Sequence, residues 1–132
     1  MILSGYFDSI GIYQAVSDKQ RKLVDEWLHI LGMDARTADA PFHSLSWGQQ
    51  RLALIVRALV KHPTLLILDE PLQGLDPLNR QVVRRFIDVL ISEGKTQLLF
   101  VSHHAEDAPE CITHRLEFVA DGDGYRYEVG PL

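Results

Sequence analysis

Apolar positions in this chain follow two patterns, helical spacing in some segments and short continuous runs in others. The helical spacing predicts three amphipathic helices, at about 18–31, 47–61 and 78–93. Ser17 is suited to cap the start of the first helix and Gly32 to close it. Residues 1–16 carry a weaker pattern with breaks at Gly5 and Gly11, so we expect them to be irregular to weakly helical.

Two continuous apolar runs, TLLIL (64–68) and TQLLFVS (96–102), predict strands that are buried on both faces. The predicted helix 78–93 lies between them, which favours parallel pairing through a right-handed crossover. A short helix and two weaker strands follow, at about 105–110, 114–120 and 125–129. The sequence DGDG between the two weaker strands predicts a hairpin turn, since it lacks the ligand alternation of a calcium loop. These elements predict an α/β protein with a mainly parallel sheet and flanking helices.

Composition narrows the class of protein. A length of 132 residues suits one domain, and a net charge of -5 shows no basic excess of the kind that marks nucleic-acid binding. The single cysteine, Cys111, cannot form an internal disulfide, which favours a reducing compartment and a cytoplasmic location. No apolar run approaches the ~20 residues that a membrane-spanning helix requires, and the N-terminus lacks the basic start of a signal peptide.

Acidic side chains follow the first predicted strand, in the sequence LLILDE (65–70). Asp69 and Glu70 are therefore expected at the carboxyl edge of the sheet, where open α/β folds bind their ligands. Such a pair suits one carboxylate that holds Mg²⁺ and one that orients a water molecule. The alternative is a pair of solvated loop charges after a core strand.

The second predicted strand also ends in polar residues, Ser102, His103 and His104. Parallel neighbours would bring them to the same edge as Asp69 and Glu70, where an imidazole can donate to a phosphate oxygen. A surface histidine at a strand end is the alternative. The scattered histidines and the single cysteine do not form the spacing of a zinc site.

The stretch SLSWGQQR (44–51) opens the second predicted helix. Its polar residues are suited to a helix cap or, beyond that, to an anion site formed by the free backbone amides of a helix start. The sequence GKT (94–96) resembles the end of a phosphate-binding loop, but that motif needs glycine where Val89 stands. A helix precedes GKT and a strand follows it, so we interpret Gly94 as a helix C-cap.

Taken in order, LSWGQQR, LLILDEP, GLDP and VSHH resemble the second half of an ATP-binding cassette (ABC) ATPase domain. The resemblance implies a partial P-loop NTPase fold, with residues 1–45 as a helical-subdomain segment and 46–132 as the C-terminal part of the core. The P-loop strand would then be absent, as would the GxxxxGK[ST] motif. A strand at 98–101 would be left with one unpaired edge, through which we expect the chain to self-associate or swap, unless its own rearranged helices cover that edge.

The same resemblance implies ATP and Mg²⁺ as ligands and assigns roles to individual residues. Glu70 and His103 correspond to the catalytic glutamate and the switch histidine, and Asp69 to the Walker B aspartate that holds Mg²⁺ through water. The signature and D-loop positions, which contact nucleotide across a head-to-tail pair of cassettes, are Leu45, Ser46, Trp47, Gly48, Gln49, Gln73 and Asp76. Trp47 departs from the family's usual glycine.

Partners implied by the resemblance are a second cassette and a membrane permease subunit, which would place the protein at the inner face of the plasma membrane. The segments SGYFDSIGIY and SHHAEDAPECITHRL are similar to tandem-cassette ATPases associated with molybdate transport or photorepair. Two alternatives stay open. The chain alone could be a non-catalytic interaction module, or it could belong to an ATPase of the DNA-repair type.

Overall fold

A computed structural model describes residues 2–7 and 15–132, so the break expected at Gly11 lies outside the described residues. Its α-helices are α1 (Asp18–Ile30), α2 (Trp47–Leu59) and α3 (Pro77–Ser92), and its strands are β1 (Leu65–Asp69), β2 (Gln97–Val101), β3 (His114–Asp121) and β4 (Gly124–Pro131). Short 3-10 helices lie at Ile2–Phe7, Ala35–Ala38, Phe42–Ser44 and Ala105–Asp107. The α/β class is confirmed, with the predicted elements in the predicted order.

Polar side chains fix the start of each α-helix. The hydroxyl oxygens of Ser17 and Ser46 cap α1 and α2, each in a capping box with the glutamine three residues later. Asp76 caps α3, and Pro77 occupies its first turn, where no intrahelical N–H partner is needed. Helix α2 ends earlier than predicted because His62, with φ 50°, has already left helical geometry before Pro63.

One hydrophobic core joins the helices to the inner face of β1. Helix α1 contributes Val24, Trp27 and Leu28 from one stripe. The Trp27 ring meets the Phe86 ring of α3 edge-on, with centroids 5.6 Å apart. Buried residues from both sides of residue 45, such as Leu28 and Val56, belong to this core, and the division into two segments there stays a prediction.

Strands β1 and β2 pair in parallel from Leu65 opposite Gln97 to Asp69 opposite Val101, as predicted. The expectation that both faces are buried is wrong among the described residues. Leu66 and Leu68 face the core, while Leu65 and Ile67 of β1 and Leu99 and Val101 of β2 are exposed on the other face. Within residues 2–7 and 15–132, no strand pairs with the second edge of β2.

Strands β3 and β4 form a separate antiparallel hairpin, closed by the predicted turn at Gly122, which has φ 60°. One hairpin face carries apolar side chains, and all of them are exposed: Leu116, Phe118, Tyr125, Tyr127 and Val129. Gly94, with φ 77°, follows the C-cap residue Glu93, and its amide donates to the Ile91 carbonyl at 2.9 Å, so GKT closes α3 as predicted. In the part of the chain that the structure describes, no helix combines the length and apolar content needed to cross a membrane.

Candidate active site

The carboxyl ends of β1 and β2 bring Glu70 and His103 together. The Glu70 carboxylate accepts a hydrogen bond from the His103 backbone amide at 2.9 Å, and its Oε1 lies 3.3 Å from His103 Nε2. Glu70 has a left-handed backbone, with φ 45°, and its own amide donates to the Val101 carbonyl at 2.9 Å. Such a backbone is unfavourable for a non-glycine residue, so the surrounding contacts hold it in place.

The two side chains differ in exposure. The Glu70 side chain retains 18% of its accessible surface, whereas the His103 side chain retains 85%. Glu70 is thus oriented by the protein, while the imidazole beside it is exposed and accessible to a ligand. Beyond them, Ser102 Oγ accepts from the His104 backbone amide at 3.1 Å and tightens the chain after β2.

Asp69 lies at the end of β1, and its side chain is exposed. Among the described residues its carboxylate has no hydrogen-bond or ion-pair partner, so its oxygens can accept a ligand. No group of three or more His, Cys, Asp or Glu side chains in residues 2–7 and 15–132 is arranged to hold a metal ion. A single exposed carboxylate such as that of Asp69 still fits Mg²⁺, which is commonly held by one or two carboxylates together with water and substrate phosphates.

The start of α2 forms a second cluster. Ser46 Oγ accepts from the Gln49 amide at 3.3 Å, and Gln49 Oε1 accepts from the Ser46 amide at 3.0 Å. The amides of Trp47 and Gly48 have no partner within the helix, because the first helical N–H groups lack a preceding turn. A hydroxyl that accepts a capping bond still has its own O–H to donate. The first turn of α2 thus presents a hydroxyl and two amides to an anion.

The first turn of α2 contacts the turn after β1. A Cβ added to Gly48 would lie 3.6 Å from Leu75 Cδ2, at ordinary contact distance. A Cβ added to Gly74 would overlap the six-membered ring of Trp47 at Cζ3 and Cη2. Gly74 also has φ 76°, a conformation that favours glycine. The sequence showed these as separate motifs, and the structure places them against each other.

The remaining predicted positions lie on the same turn or beside α2. Gln73 is exposed, and its amide donates to the Glu70 carbonyl at 3.2 Å. The Asp76 carboxylate accepts from the Asn79 backbone amide at 3.0 Å and also from the Asn79 side chain. These hydrogen bonds, the backbone one foremost, lower the pKa of Asp76 below its usual value of 3.8. Leu45 is half-buried, and its carbonyl accepts from the Gln50 side chain at 3.1 Å.

Sequence reasoning missed Arg51, whose guanidinium lies over the Trp47 ring at 5.1 Å from the centroid. The spacing of the two residues, one helical turn apart, was the available signal. Their stack lies on the exposed side of the α2 start.

Comparison with known proteins identifies the family of the chain. The family model described as ABC transporter matches residues 5–73. The ABC transporter ATP-binding protein ModF of Escherichia coli (strain K12) is 87% identical over 96% of this chain, and the match spans 26% of ModF. An uncharacterised ABC transporter ATP-binding protein of Bacillus subtilis (strain 168), YlmA, is 41% identical over 80% of the chain, which is 40% of YlmA.

Solved structures show the same fold. The dimeric structure of MJ0796, a bacterial ABC transporter cassette, aligns with a TM-score of 0.64 and 28% identity over 81% of this chain and 45% of that one. The same cassette has been solved with ADP and Pi bound, with a TM-score of 0.62. The chain thus spans about a quarter to a half of the proteins that it matches. Since the family model covers just over half of its 132 residues, the chain belongs to the ABC transporter family, as part of a cassette ATPase domain.

Proposed function

We propose that these residues supply the water-orienting half of one ATP site and the phosphate-closing surface of another, in a cassette pair that hydrolyses ATP. The observation that carries the proposal is the Glu70–His103 contact at the carboxyl ends of β1 and β2. A carboxylate fixed by a backbone amide, beside an exposed imidazole, suits a group that must hold one water and meet one phosphate.

Glu70 orients the attacking water through the carboxylate oxygen that is left free by the His103 amide. His103 donates from its imidazole to a γ-phosphate oxygen. Asp69 would hold Mg²⁺ through water, and the ion when bound offsets the charge of the phosphates. Preorganisation supports these roles, because Glu70 needs no rearrangement before it meets a water molecule.

The α2 start acts on a nucleotide held by a second cassette, arranged head to tail. The Ser46 hydroxyl donates a hydrogen bond to a γ-phosphate oxygen, and the backbone amides of Trp47 and Gly48 donate hydrogen bonds to the same phosphate. The positive end of the α2 dipole also stabilises a phosphate bound at these donors. Gln73 and Asp76 border the same surface, where Asp76 keeps its role as the cap of α3.

The direct test is Glu70→Gln in the longest natural chain that carries these residues. We expect steady-state ATP hydrolysis to fall by about 100-fold or more, because an amide cannot act as a base. ATP binding should persist. Glu93→Gln, at the exposed end of α3, is the matched control and should hydrolyse ATP at the wild-type rate. Full hydrolysis by Glu70→Gln would refute the assigned role.

A second test separates capping from phosphate contact. Ser17 and Ser46 make capping boxes with the same distances, 3.3 Å and 3.0 Å. We therefore expect Ser17→Ala and Ser46→Ala each to lower the free energy of unfolding by about 1 kcal/mol. Only Ser46→Ala should lower ATP hydrolysis. The expected loss is about 100-fold, because this variant removes a hydrogen-bond donor to the reacting phosphate. Equal hydrolysis by the two variants would leave Ser46 a purely structural cap.

The finer assignments belong to the same proposal. We infer a transport-associated protein with a permease partner at the inner face of the plasma membrane, and molybdate as the transported anion. The similarity to ModF supports the transport assignment, because ModF is named as an ABC transporter ATP-binding protein. Molybdate transport would be measured in cells that carry Glu70→Gln and in cells that carry Glu93→Gln. This comparison would test the transport role and the molybdate assignment together with the ATPase role.

The 132 residues alone are proposed to act as a non-catalytic module. None of them forms the GxxxxGK[ST] loop that cradles the phosphates. Calorimetric titration of this chain with Mg-ATP should give weak or absent binding. Tight binding by these residues alone would overturn this second proposal and leave the first intact.

A further inference from the structure

We propose that Trp47 is a positioning residue that holds the turn between Glu70 and Asp76 through its ring contact with Gly74. This inference rests on the proposed function, since it assigns the ring a part in placing Glu70. It concerns the Trp47 side chain, whereas the phosphate contact above concerns the Trp47 backbone amide.

Shape complementarity is the first argument. The Trp47 ring lies so close to Gly74 that a single added carbon would overlap two ring atoms. Gly74 is also the residue with left-handed φ at the middle of the turn. The ring therefore covers the backbone at the point where the turn reverses direction.

The turn also has restraints of its own, since Leu72 and Leu75 are buried and the Arg80 side chain donates to the Leu75 carbonyl at 3.0 Å. Its amides at Gln73 and Leu75 donate to the carbonyls of Glu70 and Leu72, at 3.2 Å and 3.1 Å. Leu75 is buried and lies against Gly48 of the same first turn of α2. The α2 start thus contacts the turn through two adjacent residues, the Trp47 ring outside and Gly48 inside.

Arg51 also contacts the ring. Its guanidinium lies 5.1 Å from the ring centroid, in the geometry of a cation–π pair. The ring remains 52% exposed, so its burial alone does not explain its placement. An indole in contact with both a cation and a glycine backbone restrains both α2 and the turn that leads back to Glu70.

Hydrogen bonds to Val101 and His103 hold Glu70 to β2, and the Gln73 amide of the turn donates to the Glu70 carbonyl, so a misplaced turn would shift Glu70 against those bonds. Small displacements of a catalytic carboxylate lower the rate of the chemical step more than the affinity for substrate. Loss of the Trp47 ring should therefore lower kcat for ATP and leave KM nearly constant.

The test compares Trp47→Ala with Leu54→Ala, a control on the exposed side of the same helix. Both are made in the longest natural chain that carries these residues. Hydrogen exchange of the Gln73 and Leu75 amides should accelerate about tenfold in Trp47→Ala only. In the same variant, kcat should fall about tenfold with KM for ATP within about twofold of wild type.

A double substitution adds a readout that does not depend on ATP. Gly74→Ala should accelerate turn exchange in the wild-type background through ring overlap and backbone strain together. In Trp47→Ala only the backbone strain remains, so the additional acceleration should be smaller. Arg51→Ala should give a change in the same direction as Trp47→Ala, and a smaller one.

Equal turn exchange in Trp47→Ala and Leu54→Ala would overturn the inference, as would a raised KM with constant kcat. The second result would mean that the ring contacts nucleotide. If the wild type hydrolyses no ATP, or if Glu70→Gln retains activity, the proposed function fails, and the exchange experiments still decide whether the ring holds the turn.

Discussion

The helical side of the molecule and its strand side bury their apolar residues to very different extents. On the helical side, Leu28, Val56 and Phe86 lie in one core with almost no exposed surface. On the strand side, Leu99 is 51% exposed and Phe118 is 72% exposed. Since apolar burial is the main favourable term in folding, the helical side carries most of the stability of the described structure.

The candidate site lies between the buried helical side and the exposed strand side. Glu70 and His103 lie where β1 and β2 end, with the buried face of the sheet on one side and its exposed face on the other. The α2 start belongs to the helical side and is held by its own capping box. The site is therefore supported from the helical side, while the strand side leaves its apolar surface exposed.

The largest effect is expected in the core. Leu28→Ala should lower the free energy of unfolding by about 2–5 kcal/mol, because it removes a fully buried side chain. Ile30→Ala on the same helix should change it by about 0.5 kcal/mol at most, since Ile30 is exposed. Urea denaturation measures both. Similar losses for the two variants would contradict the contrast between the regions.

Polar substitutions on the strand side should separate stability from association. Leu99→Ser and Phe118→Ser should each change the free energy of unfolding by about 0.5 kcal/mol or less, since little burial is lost. They should also lower self-association, which light scattering measures, because large exposed apolar patches and open strand edges recruit other chains. A monodisperse wild-type monomer would contradict the predicted association.

Cys111 marks the boundary between the regions, at the edge of the core just before β3. Burial, and then the neighbouring Asp88 carboxylate, raise the pKa of its thiol to about 12. The thiolate fraction at pH 8 is therefore small, and alkylation by iodoacetamide should be slow. A cysteine introduced on the hairpin by Tyr127→Cys should react much faster.

The same raised pKa predicts a pH dependence for stability. The neutral Cys111 thiol is favoured by the fold, so its contribution is complete below the unfolded pKa of 9.0 and is lost as pH rises toward the folded value of about 12. Cys111→Ser should weaken the fall in stability over this interval. An unchanged pH profile in urea denaturation would contradict the burial of the thiol.

The smallest effect concerns Asp76 at the start of α3. Its folded pKa is lowered, so the stability it adds is present above its unfolded value of 3.8 and is lost as pH falls through the folded pKa. Carbon NMR should give a titration midpoint below 3.8. Asn79→Ala should raise the midpoint only in part, because the backbone amide of residue 79 still donates. A midpoint at or above 3.8 in the wild type would show that the cap is not formed.

Local chemistry was sufficient to predict much of this protein. The helix starts at Ser17 and Ser46 follow from side chains that satisfy free amides, and such bonds depend only on residues nearby in sequence. A bond of the same kind at Asp76 starts α3 at Pro77, one residue before the predicted start. The parallel pair β1–β2 and the meeting of Glu70 with His103 follow from two apolar runs separated by a helix. The motifs also identified the family.

Tertiary structure alone decided which apolar faces are covered and which motifs touch. The runs at β1 and β2 read the same whether one face or both are buried, because burial depends on what packs against a strand. The contact between Trp47 and Gly74 joins residues far apart in sequence, and it depends on the path of the chain between them. Sequence periodicity describes one element at a time, so it does not determine how two elements meet.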